Sequence, residues 1–293
     1  MSRDHGAAVV MAMLVVALGS LIVSGAFLNQ SVLARQVEND LAGAQTRWLM
    51  AGAVDWVRVI LREDARTSAV DHLSEPWALP LEQVRLNDDE RDPAYLSGNI
   101  EDPQARFNLR NLASGSQSQP GEVDVLVRLL AVVGSDPQLA EPLTLRVRAA
   151  LAGSATSAGV FLPATIDDIA LAGDEEREAM ERLRPFVTLL PLATPVNANT
   201  ASAEVLAAVF EGLSLGDARR LAESRDRSWF RDTNDLVNRE PGLRLASTPR
   251  VAVATSFFLV HGTVEFRRAR LDRMVLLRRD SGRVDVLWSR EAA

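Results

Sequence analysis

Between Gly6 and Arg35 the chain carries no ionisable side chain, and from Ala7 to Leu28 it is almost wholly apolar. A helix over these residues is about 33 Å long at about 1.5 Å per residue, against a bilayer core of about 30 Å. The stretch is long enough to span, so a transmembrane helix is expected over residues 7–28.

An ordinary secretory signal has a basic leader, an apolar run of about 7 to 15 residues and a small-residue cleavage site after that run. Here Gly6 is the obvious processing point and it precedes the run, so cutting there leaves the hydrophobic helix on the mature chain. The order Met-Ser-Arg-Asp-His-Gly followed by Ala7-Ala8-Val9-Val10-Met11-Ala12-Met13-Leu14 resembles the type IV prepilin and pseudopilin class. That resemblance implies a leader over residues 1–6, cleavage between Gly6 and Ala7 by a prepilin peptidase, and N-terminal methylation of Ala7. The class usually has glutamate at the fifth mature position, where this chain has Met11. A carboxylate deep in a membrane helix costs roughly 2.5 to 3.5 kcal/mol unless paired, and in the class its partner is the N-terminal amine of a neighbouring subunit. A chain without it need not dock beneath an earlier subunit, which points to the first, or tip, position. The plain alternative is an unprocessed membrane anchor. Arg3 and Asp4 nearly cancel, so charge sets the orientation poorly.

The residues beyond the span are enough for one large domain or two small ones, and 47% hydrophobic with 24% charged residues is an ordinary globular balance. A net charge of -7 argues against a general nucleic-acid or anionic-membrane binder. Without cysteine there is no disulfide, thiolate nucleophile or cysteine metal site.

A helical period continues past the span. Val37, Leu41, Ala44 and Trp48 step along one face, and no proline interrupts before Pro76. Trp48, Trp56, Val57 and Ile60 are expected to bury against the following domain. Next comes Asp71-His72-Leu73-Ser74-Glu75-Pro76-Trp77-Ala78, where Pro76 holds Glu75 extended and Trp77 is free to pack back on the helix. In Ser97-Gly98-Asn99-Ile100-Glu101-Asp102-Pro103-Gln104-Ala105-Arg106-Phe107-Asn108-Leu109-Arg110-Asn111-Leu112 the apolar positions suit strands with one buried face. These two strings, in this order behind such a leader, resemble the K-type minor pseudopilins of type II secretion systems, which carry an Asp-x-Leu-x-Glu-x-Trp-type stretch and an I-x-D-x-x-x-x-F-N-L-N-N-L type of pattern.

Asp88, Asp89 and Asp92, with Glu101 and Asp102, are weak candidates for a hard cation; they lack the spaced-ligand loop and its obligatory glycine. The family resemblance allows calcium. Many relatives carry an Asp- and Trp-rich segment where this chain has Leu151 to Gly159, with neither residue. If the family's calcium ligands lie there, this chain lacks them.

Residues 115–121 read as a linker or exposed loop. Helices are expected over Val123–Val133, Pro142–Leu151, Asp167–Ala172 and Asp174–Leu183. Asp167-Asp168-Ile169 and Leu183-Arg184-Pro185-Phe186 again resemble the family's inserted helical domain. The stretch Pro195 to Asp217, with Arg225, looks like a helix-hairpin-helix module whose first helix starts at Ala201 under an Asn199 or Thr200 cap. A DNA-binding hairpin offers backbone N–H groups to phosphate through a Gly-hydrophobic-Gly turn. Ser214 holds the second glycine position, and Glu211 and Asp217 flank the turn, so a packing unit is expected. After Pro249, partially alternating apolar residues with turns at His261-Gly262 and Asp280-Ser281-Gly282 predict two hairpins. Arginines 267, 268, 270, 273, 278, 279 and 283 make this the basic part of an acidic chain, either as solvated edge residues or as a docking face for an acidic partner.

The histidines are His5, His72 and His261; no phosphate-cradling loop or nucleophile elbow accompanies them, so an enzyme is not expected. The expected fold is α+β: leader 1–6, transmembrane helix 7–28, its periplasmic continuation 29–66, a pilin-like antiparallel β-sheet in two parts (67–112 and 251–293), and an all-α insertion of helix-hairpin-helix or SAM-like type over 113–250. The resemblance implies a minor pseudopilin capping a periplasmic pseudopilus and helping to initiate its assembly for export across the outer membrane. Its implied partners are I-type and J-type siblings, the H-type and major G-type subunits, the prepilin peptidase and the inner membrane, but not nucleic acid. The implied location is the inner membrane of a Gram-negative bacterium, single-pass, with a large periplasmic domain. The competing reading is a membrane-tethered DNA-binding protein using the hairpin module.

Overall fold

A computed structural model describes residues 4–113, 120–153, 165–240, 243 and 250–291. Most of the expected linker 115–121 and of the interval Leu151 to Gly159 lies outside them. The chain begins in helix α1 (Asp4–Thr67), which nothing in the sequence breaks before the Ser68 N–H closes on the Asp64 carbonyl. Among the described residues no helix is long and apolar enough to cross a membrane; the expected span includes side chains, at 7–8 and 25–28, that are not among those described.

After α1 a short connector turns through a single 3-10 turn at Pro76–Ala78 and buries Trp77, which meets Phe258 edge-on at 5.3 Å between centroids. Strands β1 (Leu81–Arg85) and β2 (Ala94–Glu101) follow. A helical block then intervenes: β3 (Phe107–Asn108), α2 (Pro120–Val132), α3 (Ala140–Gly153), α4 (Gly173–Leu183), β4 (Val187–Thr188), β5 (Val196–Asn197), α5 (Ala203–Val209), α6 (Leu215–Arg227), α7 (Thr233–Arg239) and β6 (Val251–Ala252). The chain closes with β7 (Phe257–Phe266), β8 (Ala269–Asp280) and β9 (Arg283–Glu291). The main sheet is wholly antiparallel in the order β1-β2-β7-β8-β9, so adjacent strands β2 and β7 flank the helical block. The architecture is therefore mixed helix and antiparallel sheet.

The sheet departs from expectation at one turn. His261-Gly262 lies inside β7, where Gly262 pairs with Gly98 of β2; the reversal falls at Arg267, whose φ is +54°. Gly262 serves close approach instead, since a Cβ there would meet Met50 Sδ of α1 at 3.3 Å. The Asp280-Ser281-Gly282 turn forms as expected, with positive φ at Ser281 and Gly282.

Within the block, one apolar core runs from Phe107 through Leu126, Leu130, Leu143 and Leu183 to Leu206 and Leu221. Two sequence expectations change. Asp167–Ala172 supplies only a 3-10 turn at Ile166–Asp168, with Asp168 closing a capping box on Thr165. Helix α5 starts at Ala203 under Ser202, not at Ala201, because Asn199 and Thr200 are engaged elsewhere.

Candidate docking interface

Helix α1 has two apolar faces. Ala42, Thr46, Met50, Val57, Leu61 and Asp64 are buried, recurring at near-whole turns, and lie against the sheet. Val37, Leu41, Trp48 and Val59 recur at steps of four, seven and eleven residues, also close to whole turns, and are all exposed, Trp48 to 79%. The stripe legible in the sequence thus faces away from the domain. Of the four residues expected to bury, Val57 does, Ile60 is half-buried, and Trp48 and Trp56 are exposed. The inner face was hidden because small Ala42 and polar Thr46 and Asp64 dilute its pattern.

What holds this face in position is a junction at the end of α1. Arg279 of β8 donates to Asp64 Oδ2 at 2.7 Å and to both Asp71 oxygens at 2.5 and 2.6 Å. Glu75 accepts from the His72 N–H at 2.9 Å and from Trp77 Nε1 at 2.7 Å. Burial pushes Asp64 up to about 6 and raises Asp71, with Arg279 opposing the shift in each. Asp64, Asp71 and Glu75 are the sole group of three or more potential ligands that converges among the described residues, and at least one oxygen of each already accepts from these donors.

A second set of buried polar groups joins the helical block to the sheet. Asp102 accepts from Thr200 Oγ1 at 2.6 Å, Asn197 Nδ2 at 2.8 Å and the Gln104 N–H at 2.8 Å, while burial pushes it up to about 6. Asn197 also donates to the Asp71 carbonyl, Asn199 to the Phe230 carbonyl, and the Thr255 N–H to Asp71. Across this seam His72 stacks on Trp229 with centroids 4.0 Å apart. The sequence pattern makes Asn199 or Thr200 a helix cap and gives Asn197 no role; three polar residues within four positions before a helix are the signal that points to the seam.

The other singled-out residues disperse. Gly6 and Ala7 lie in the first turns of α1, and Met11 is exposed on it. The five candidate cation ligands do not meet: β2 stands between Asp88, Asp89 and Asp92 at one end and Glu101 and Asp102 at the other, about 26 Å at about 3.3 Å per residue. Asp92 pairs with Arg267, Glu101 with Arg106, and Asp102 is the buried acceptor just described. These residues do not fit a single shared ion. The basic sheet is largely neutralised within itself: Arg270 pairs with Glu265 and Asp272, Arg278 with Asp280, and Arg279 is turned inward. In the hairpin module Val205 to Val209 of α5 are buried, and Ser214 caps α6 through the Asp217 N–H, as a packing unit requires.

A sequence model of type II secretion system protein K matches residues 196–256, the segment that supplies Asn197, Asn199, Thr200 and Thr255. The protein of that name from Pseudomonas aeruginosa is 30% identical over 284 residues, spanning 88% of this chain and 83% of that protein. Its counterpart from Klebsiella pneumoniae is 26% identical over 320 aligned positions, spanning 98% and 96%. The crystal structure of the GspK-GspI-GspJ complex from enterotoxigenic Escherichia coli contains a chain of like fold, with a TM-score of 0.70 at 18% identity, covering 88% of this chain and 99% of that one.

Proposed function

Since this chain belongs to the type II secretion system protein K family, we propose that it is a minor pseudopilin that caps the tip of the periplasmic pseudopilus and helps start its assembly. The observation that carries this reading is the exposed apolar stripe of α1, opposite the face that holds the domain. Exposed apolar surface of this kind marks an interaction site, and a stripe at whole-turn spacing suits a neighbouring helix.

In this reading the leader is cut after Gly6, Ala7 becomes the methylated mature N-terminus, and residues 7–28 anchor the chain once through the inner membrane, with the sheet and helical block in the periplasm. Met11 in place of the class glutamate supports the first position in the fibre, since no carboxylate there needs an amine from a subunit above. The partners are I-type and J-type siblings at the tip, with H-type and major G-type subunits following below. The pilin-like sheet supplies the base on which the helical insertion is carried as a bulky cap.

The test is co-expression of the full chain with its I- and J-type siblings, followed by extraction in mild detergent. Co-purification of both, and a mature N-terminus at Ala7 by mass spectrometry, is the expected result. Recovery of the chain alone, with salt-dependent binding to DNA, overturns the reading in favour of a hairpin receptor.

A further inference from the structure

On the flank of α1, between its two apolar faces, lies a groove that the fold leaves unfilled. Ala53, Val57 and Ile60 of α1 form one wall, Gly98 and Ile100 of β2 the floor, and Leu79 stands at the rim. The hollow holds about 410 Å³, in the range of sites that bind small ligands or anchoring side chains and room for about a dozen waters. No Asp, Glu, Lys or Arg lines it.

The hollow is built into the sheet. Gly98 and Gly262 sit opposite one another in the β2/β7 register, so this part of the helix-facing surface carries no side chains. A Cβ at Gly98 would lie 2.3 Å from the His261 carbonyl and one at Gly262 would press on Met50. A side chain at Gly98 is therefore sterically barred, and one at Gly262 requires Met50 to shift.

We infer that the groove receives an apolar side chain from the same sibling subunit whose helix lies along the outward stripe of α1, an inference that rests on the reading given under Proposed function. Continuity of surface selects this occupant. Trp56 lines the groove and is 48% exposed, and it stands on α1 eight residues beyond Trp48 and three before Val59. A helix lying on Trp48 and Val59 passes along the lip of the groove. Leu79 on the opposite rim is 63% exposed, so both lips offer apolar surface to the same visitor. An uncharged pocket beside a helical contact takes an aromatic or aliphatic anchor, and such an anchor concentrates binding energy and selects among siblings.

The experiment uses the full chain co-expressed with its I- and J-type siblings, with a photo-crosslinking phenylalanine analogue placed at position 79 or, separately, at position 59. Both positions are expected to capture a sibling. Leu79→Glu, which alters an exposed rim residue, and Ala53→Phe, which fills the wall from within, are each expected to lower the sibling recovered by about tenfold. Their thermal unfolding should match the parent's for Leu79→Glu, which separates lost binding from lost folding. The inference is overturned if position 79 captures lipid, a second copy of this chain or nothing while position 59 still captures a sibling. It is likewise overturned if both groove variants bind as the parent does while Trp48→Glu does not. Failure at positions 59 and 79 together removes the sibling interface itself, and the groove's role with it.

Discussion

The sheet is held to its two neighbours by different balances of apolar and polar contact. Against α1 the contact is mainly apolar, with Val57, Leu61 and Trp77 packed on Phe258, Val260, Val275, Leu277 and Val284, and one charged junction, Arg279 with Asp64, closes its end. Against the helical block a small apolar cluster of Leu190 with Phe257 and Leu276 is joined by a larger buried polar seam of Asp71, Asp102, Gln104, Asn197, Asn199, Thr200 and Thr255. Apolar packing supplies attraction without strong direction, whereas a buried donor or acceptor left unpaired costs its desolvation. The rod can therefore tolerate repacking, but the cap is fixed in a single orientation.

Removing the charged bolt at the end of α1 gives the largest expected loss. Arg279→Met leaves Asp64 and Asp71 buried without their guanidinium and should cost about 3 to 5 kcal/mol near neutral pH in denaturant unfolding. The loss should shrink near pH 5, as the two carboxyls take up protons. Leu61→Ala opens a cavity in the apolar contact and should cost about 3 kcal/mol; a much larger value than for Arg279→Met would break the contrast.

The parent chain sharpens the same point by titration. Asp64 and Asp102 titrate near 6 when folded, against 3.8 as the ordinary value. Their contribution to stability is thus fully present below about 3.8 and is lost as pH climbs through about 6. Half-buried Asp92, Asp217 and Asp272 are shifted down by their hydrogen-bonding partners and act only below that window. Unfolding free energy should therefore fall between about pH 4 and pH 6, and the double change Asp64→Asn, Asp102→Asn should flatten that slope. Asp102→Asn alone keeps one acceptor oxygen and should cost about 1 to 2 kcal/mol at pH 7. Trp48→Ser, on the outward face, should stay within about 0.5 kcal/mol of the parent in thermal unfolding while losing sibling capture. A destabilisation comparable with Leu61→Ala would mean that this face also packs on the domain.

Much of this organisation was legible in the residues themselves. The uninterrupted α1, helices α2, α3 and α4 of the block and the turn at Asp280-Ser281-Gly282 follow from period, proline placement and turn chemistry. The Asp71 to Trp77 string locates the connector and Ser97 to Glu101 the end of the first long strand, whereas Phe107, Leu109 and Leu112, expected on the sheet, pack in the core of the helical block. The direction of a stripe was not legible, because periodicity shows that a helix has an apolar face and not which neighbour covers it. The gathering of Asp64, Asp71 and Arg279 was hidden for a related reason: the last lies 208 residues beyond Asp71, and only the strand register brings it back. Gly262 misled because a glycine needed for close packing looks the same in sequence as one needed for a reversal.

The separation of β2 from β7 has a consequence for how the chain comes into being. Glu101 ends one strand and Phe257 begins its partner, so during synthesis the first half of the sheet waits for 155 residues with its ladder open. Early pairing is limited to β1, which lies on the opposite edge of β2 and leaves the edge that receives β7 open, and late arrival of non-local partners slows folding. A ribosome-bound intermediate ending before residue 257 therefore exposes the very edge that later lies at the middle of the sheet, and protecting it is a task for chaperones rather than for the finished protein.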